Sequence, residues 1–477
     1  MKRRGSLAGG VALLCLAFFE ATAAARPDRS SPPAVGTAVA RKPPAVQDLR
    51  LANGLRLVVE PRPSVPSAHL VWTVLAGSAD DPPGEPGTAA LLTETLLNLP
   101  EGASLRETLR ARGVLLEVGT GEDAIRFSVH APSNRLVWAV RRLRKALSRP
   151  PRAIVPVRST TPSPGSSSGD PDRILRAAAW RAAWGEADAE GFPGKVSPPS
   201  SAKLGGEGFR AFHARHVRPS GMVVTAAGDV AVGALRRELE RVRTVPAGDL
   251  AEAPGRAPAA ERPRPRLVLV DRPGSGDARL GVTAALRGVP PLDPVALVTS
   301  HLLGGSGYSR LLGALRGELA LAYDARAAVE TRRAGSLFLA WSPVRVEDAA
   351  VALRRIVAEV DSLRREPPPE ELTPARIALE NRIAAGWFET SRSSARAWSR
   401  IASLGLDPED VEDRLRRILE VSGEETARFA ADHLGSEDRV LVVVGDAGAL
   451  RGPLEDLGLG PPEVWPAEAL ASPGTEP

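Results

Sequence analysis

Apolar positions fall into two kinds of run along the chain. Leu55–Val59, Leu70–Leu75, Met222–Ala226 and Val440–Val444 are short, rich in β-branched residues and bounded by turn formers, a pattern that predicts strands. Ala89–Leu97, Leu136–Leu147, Ala349–Arg364 and Glu424–His433 repeat their apolar residues at helical spacing. Comparable numbers of strands and helices imply an α+β fold, with antiparallel sheets carrying helices on one side.

The pattern occurs twice. Arg56-Leu57-Val58-Val59, followed by Arg62-Pro63, matches Arg266-Leu267-Val268-Leu269, followed by Arg272-Pro273. Farther on, Phe212, His216, Val223, Gly228 and Asp229 match Phe429, His433, Val440, Gly445 and Asp446 at one constant offset. Each half opens on a β-rich run and closes with a helix, an apolar strand and a Gly-Asp turn, so the chain is read as a tandem duplication.

Breaker-rich stretches set the expected boundaries. Residues 51–250 form an N-terminal domain and 266–460 a C-terminal domain, with a linker over 251–265 and a tail over 461–477. A further Pro-, Ser- and Gly-dense stretch runs from Pro150 to Asp172. The chain begins with Lys2, Arg3 and Arg4, an apolar run from Leu7 to Phe19 and small residues at 21–25, which reads as a cleaved signal peptide over 1–25. Residues 26–50, rich in Pro, Ala and Arg, are expected to be a disordered linker. The protein is therefore expected beyond an inner membrane, in a bacterial periplasm or envelope.

Composition removes several chemistries. The single cysteine, Cys15, lies in the apolar leader, which leaves the mature chain without a thiolate nucleophile or ligand. The net charge of +5 is carried by arginines interspersed with acids, and aromatic residues are few, so no nucleic-acid footprint is read. Gly304, Gly305 and Gly307 lack the G-K-[ST] of a phosphate cradle and the Rossmann spacing, which argues against a nucleotide. His213 and His216 could share one helix face, but the matching segment keeps only His433 and no acid is nearby. His69, His130 and His301 sit singly in or beside apolar runs and read as packed or surface residues.

Leu51-Ala52-Asn53-Gly54-Leu55, then Ala76-Gly77-Ser78 and the segment from Asp80 to Gly87, resembles the opening of insulinase/pitrilysin-type peptidases. In that family a helix carrying H-x-x-E-H follows, whose histidines hold zinc while the glutamate serves as general base. The resemblance puts Ala90, Thr93 and Glu94 at those three positions. None is retained, and no glutamate lies between Glu122 and Glu186, where the remaining ligand is expected. A zinc site needs about three protein ligands, so no cofactor is expected in this chain.

The second half carries Leu302-Leu303-Gly304-Gly305-Ser306-Gly307-Tyr308-Ser309-Arg310-Leu311, then Leu315-Arg316-Gly317-Glu318 and Leu321-Ala322-Tyr323. This is similar to the second-half signature of the same family, where an arginine and a tyrosine at this spacing reach into the zinc site and hold the substrate carbonyl. The resemblance thus makes Arg316 and Tyr323 the candidate catalytic pair, Gly304, Gly305 and Gly307 a peptide-contacting loop, and Arg310 a structural ion-pair partner of the turn. Both tyrosines of the chain fall inside this signature. The function implied is that of a zinc-less subunit of a two-chain metallopeptidase. Zinc would sit in a homologous exported partner with an intact H-x-x-E-H, and peptides would be the substrate. The rival reading is a non-catalytic scaffold or peptide-binding subunit of an envelope complex.

Overall fold

Continuous apolar runs become central strands because both of their faces are covered, whereas alternating runs become strands with one face toward water. A computed structural model describes residues 40–82, 85, 87–97, 104–148, 170–185, 206–243, 266–333, 335–467 and 470. The expected signal peptide, the 251–265 linker, residues 149–169 and most of the tail lie outside the described residues.

The first half contributes β1 (Gln47–Arg50), β2 (Arg56–Pro61), β3 (Ser67–Val74), β4 (Leu115–Thr120), β5 (Ile125–Pro132) and β6 (Met222–Gly228). Its helices are α1 (Thr88–Leu97), α2 (Leu105–Arg110), α3 (Ser133–Leu147), α4 (Pro171–Trp184), α5 (Gly206–His216) and α6 (Val232–Leu239). The second half contributes β7 (Leu267–Asp271), β8 (Asp277–Leu286), β9 (Arg326–Arg332), β10 (Gly335–Arg345), β11 (Arg439–Gly445) and β12 (Glu463–Pro466). Its helices are α7 (Pro294–Gly304), α8 (Ala349–Ser362), α9 (Pro369–Phe388), α10 (Ser391–Ser403), α11 (Pro408–Glu420), α12 (Gly423–His433) and α13 (Ala447–Glu455).

The strand orders are β1-β2-β6-β3-β5-β4 and β12-β7-β11-β8-β10-β9. Five strands correspond one to one, and in each sheet the closing strand pairs in parallel with the opening one, β6 with β2 and β11 with β7. The sixth strand differs, β1 being antiparallel to β2 and β12 parallel to β7. Small details repeat as well. The Arg62 amide donates to the Gly228 carbonyl and the Arg272 amide to the Gly445 carbonyl, each at 2.8 Å. His216 packs on Phe212 at 4.6 Å, and His433 on Phe429 at 4.8 Å. At Gly228, with φ +127°, a Cβ would lie 2.4 Å from the Ser67 carbonyl, which explains why that closing glycine is needed.

The halves are not independent cores. One face of the first sheet, with Trp72, Phe127 and Val224, packs on helices of its own half. The opposite face is covered by α10 of the second half. There Thr73 and Ser399 hydroxyls meet at 2.7 Å, and the Thr225 hydroxyl donates to the Ala395 carbonyl at 2.7 Å. Reciprocally, α4 of the first half covers the outer face of the second sheet, with Ile174, Leu175, Ala178, Ala179 and Trp180 against Val268, Leu339, Val442 and Val444. Gly281 lets Leu175 approach, since a Cβ there would lie 3.0 Å from it. Each sheet thus has its own half's helices on one face and a helix of the other half on the second.

Polar groups fix this exchange. Glu60 is buried, pairs with Arg62 and accepts from the Trp398 indole at 2.9 Å. Arg62 in turn donates to the Phe388 carbonyl at 2.5 Å and to Ser394 at 2.9 Å. Arg56 joins Asp48 at 2.5 Å to Asp407, at the start of α11, at 2.6 Å. On the other side, Arg332 lies 3.8 Å from the Trp180 ring, whose N–H donates to Glu330 at 2.9 Å. Because Trp398→Ala empties a buried site and strips Glu60 of a donor, it should cost about 3–5 kcal/mol in urea unfolding. A loss below about 1 kcal/mol, the range of ordinary surface substitutions, would show that α10 does not clamp the first sheet.

Candidate functional site

Helix α1 carries Ala90, Thr93 and Glu94, the positions that the sequence resemblance sets against a zinc motif. Its first turn is capped by Asp81, which accepts from the amides of Gly87 at 2.5 Å and Ala89 at 2.8 Å. Ala90 offers no donor atom. The Thr93 hydroxyl is engaged with the Ala89 carbonyl at 3.1 Å and with the Thr120 hydroxyl at 2.8 Å. Only Glu94 has a carboxylate, and its side chain is half-buried. This donor set does not fit a zinc ion, which would need imidazoles where Ala90 and Glu94 stand. Among the described residues, no group of three or more His, Cys, Asp or Glu side chains is placed to hold a metal.

The two helix histidines of the first half have other uses. His213 is fully buried, and its Nε2–H donates to the Leu147 carbonyl at 2.8 Å. His216 packs on Phe212, and burial holds it neutral down to about 4.

The second-half signature folds as a helix end, a turn and a π-helical segment. Gly304 ends α7 where a Cβ would lie 2.0 Å from the Ala327 amide nitrogen, so close packing on β9 requires glycine there. At Gly305 a Cβ would strike the His301 ring at 1.9 Å, whereas nothing crowds Gly307. Arg310 makes a fork with Glu371 at 2.5 and 2.8 Å and donates to Ser362 at 3.0 Å, tying the turn to α8 and α9. This is the ion-pair role the sequence assigns to it.

Residues 313–318 then form a π-helical turn. Such turns are rare and cluster at functional sites. Ala314 and Leu315 are buried on its inner side, Leu315 in the second core, while Arg316 faces solvent. Ala320 takes φ +53°, a left-handed conformation unusual for a residue with a Cβ. The chain folds back there, with Leu321 and Ala322 amides both reaching the Leu315 carbonyl. The result places the Arg316 guanidinium over the Tyr323 ring, 4.8 Å from its centroid. Tyr323 is 82 % exposed and Tyr308 wholly so. Neither Arg316 nor Tyr323 makes a hydrogen bond or ion pair among the described residues, so packing does not account for their chemistry. An exposed stack of this kind contributes about 0.5–1 kcal/mol, enough to orient the pair.

The structure also joins two histidines that the sequence treats singly. His69 and His130 stand opposite each other on β3 and β5, with ring centroids 4.1 Å apart. With Glu117, Ser128, Arg392 and Arg396 they line a small hollow of about 40 Å³. Burial, then His130 and the two arginines, lowers the His69 pKa to about 4. Glu117 is already held by Arg392 at 2.5 and 2.6 Å and by Arg396 at 2.9 Å, which makes the cluster a further clamp between β4 and α10. Nothing in the local sequence signals it, because strand register is not readable from one chain.

Comparison with known proteins places these features in context. Residues 204–379 match the family described as the peptidase M16 inactive domain. Uncharacterized zinc proteases of Mycobacterium tuberculosis and Mycobacterium bovis are 27% identical over 417 residues, covering 84% of this chain and 93% of theirs. Among solved structures, the peptidase M16 inactive domain from Pseudomonas fluorescens superposes with a TM-score of 0.70 at 19% identity, covering 84% of this chain and 98% of that one. The first half of the periplasmic protease PqqL from Escherichia coli gives 0.67 at 16% identity, with 88% and 97% covered. A chain of Complex III2 from Candida albicans gives 0.69 at 13% identity, with 87% and 100% covered. At such identities the structural likeness shows the fold alone.

Asp81 supplies a test of the α1 cap. Burial raises its pKa from 3.8 to about 6, against the lowering effect of the two amides. Its contribution is therefore fully present below the unfolded value of 3.8 and is lost as pH rises through about 6. Asp81→Asn removes that slope while the histidines, common to both proteins, cancel. The melting temperature of the variant relative to wild type should rise between pH 4 and pH 7, and a pH-independent difference would contradict the assignment.

Proposed function

We propose that this chain, an insulinase-like member of peptidase family M16 without zinc ligands of its own, is the non-catalytic-metal subunit of an exported two-chain peptidase. The observation that carries the reading is the contrast between two sites. On α1, Ala90 and the engaged Thr93 cannot bind metal. At the π-helical turn and the fold-back after it, Arg316 and Tyr323 are stacked, exposed and without hydrogen-bond partners among the described residues.

The chemistry of the pair suits a partner's active site. A guanidinium is permanently charged and planar, and a phenol adds one directional O–H donor. Both can be aimed at an oxygen that gains negative charge when a peptide carbonyl is attacked, with no change of protonation. Here the pair is set by a π-helical turn and a left-handed Ala320, so its geometry exists before any substrate arrives. The hydrolytic centre belongs to a homologous chain with an intact H-x-x-E-H. Peptides enter between the two chains, and the turn at Gly305–Ser309 lies beside the entering segment.

The second reading, a scaffold or peptide-binding subunit, draws support from the fold likeness to a chain of Complex III2 from Candida albicans. Both readings place the chain outside the inner membrane. Among the described residues, no helix is long and apolar enough to cross a membrane.

Peptide cleavage by the chain mixed with its H-x-x-E-H partner distinguishes the readings. Tyr323→Phe and Arg316→Ala should each lower kcat by about 10²–10³ while leaving assembly intact. Undiminished turnover by Tyr323→Phe would remove the pair from the mechanism, and a stable complex with no peptidase activity would favour the scaffold.

A further inference from the structure

The charges that the sequence intersperses are sorted by folding. On α3, Arg135, Trp138, Arg142 and Lys145 follow one another at spacings of three, four and three, so they share one helix face. Arg112, which follows α2, lies 4.9 Å from the Trp138 ring centroid, and Arg142 lies 5.6 Å from it. Arg106 and Arg110 stand one turn apart on α2, immediately before Arg112. These six cations are exposed. None pairs with a carboxylate among the described residues, and Glu107, which closes the cap of α2 with Ser104, is the one acid on residues 104–112 and 133–147.

The contrast within α3 is informative. Arg141 and Arg144 are tied to the buried Glu238, at 3.3 and 2.9 Å, together with Arg241. The cations on the neighbouring face have no such anchor. Trp138 packs against the first core on one side and lies under two guanidiniums on the other, the boundary position that indoles take at a membrane surface.

We propose that this face of α2 and α3 docks the protein on an anionic phospholipid surface. Phosphates spread over a plane match cations spread over two helices and a loop. Each Lys or Arg near such a surface contributes about 1 kcal/mol, or roughly a fivefold gain in binding. A single-stranded nucleic acid fits less well, because base stacking needs an open aromatic face and the Trp138 ring is covered by arginine. This docking does not depend on the peptidase reading, since α2 and α3 belong to neither the lost zinc motif nor the Arg316–Tyr323 turn.

Co-sedimentation of the purified chain with vesicles tests it. Binding should be strong to phosphatidylcholine mixed with phosphatidylglycerol, absent with phosphatidylcholine alone, and reversed by high salt. The variant Arg112→Glu/Arg135→Glu/Arg142→Glu/Lys145→Glu should bind the mixed vesicles more than about a hundredfold more weakly. A control with the same charge change elsewhere, Arg50→Glu/Arg354→Glu/Arg365→Glu/Arg451→Glu, should lose far less. Circular dichroism checks that each folds, and the corresponding glutamine set of the first variant serves if charge reversal unfolds it. Equal binding by patch and control variants, no preference for anionic vesicles, or tighter binding to single-stranded DNA than to the mixed vesicles at equal salt would each overturn the proposal.

Discussion

Each sheet in this molecule has two apolar faces, and the helices of its own half cover only one of them. The structure depends on how that deficit is met: α10 from the second half lies on the first sheet, and α4 from the first half lies on the second. Leaving either face bare would expose the sort of contiguous apolar surface that soluble proteins avoid. The small residues Ser394, Ala395 and Ser399 of α10, and Ala178, Ala179 and Ala182 of α4, let helix and sheet approach closely. Glu60, Arg62 and Trp398 then fix one contact, as Arg332, Trp180 and Glu330 fix the other.

That mutual cover gives the two halves different freedom to change. The first core needs α1 for its apolar side, Leu91, Leu92 and Leu96, and keeps it although no metal-binding residue remains at Ala90 and Thr93. The Thr93 hydroxyl is satisfied by the Ala89 carbonyl and the Thr120 hydroxyl. In the second half the reverse holds. Leu311 and Leu315 serve the core, while Arg316 and Tyr323 are exposed and project away from it.

Much of this was legible in the sequence, for identifiable reasons. Central strands such as Met222–Gly228 and Arg439–Gly445 are buried on both faces and therefore read as continuous apolar runs. The duplication showed in residues with one structural task in both halves, such as the Phe212–His216 and Phe429–His433 pairs. The exchange of α4 and α10 was not legible, because periodicity reports that a helix has an apolar face and not which sheet it meets. Nor was the meeting of His69 with His130, or of Arg112 with Trp138, since both depend on strand register and helix placement. The glycines of the loop were visible, but their separate tasks, packing at Gly304 and Gly305 and open space at Gly307, follow only from their neighbours.

As proposed, the chain holds no metal of its own and brings Arg316 and Tyr323 to a site held by another chain. Zinc titration of the purified chain at neutral pH, followed by metal analysis after gel filtration, tests it most directly. Zinc should be substoichiometric and weakly held, unchanged by Glu94→Gln. One tightly bound zinc per chain, lost on that substitution, would contradict it.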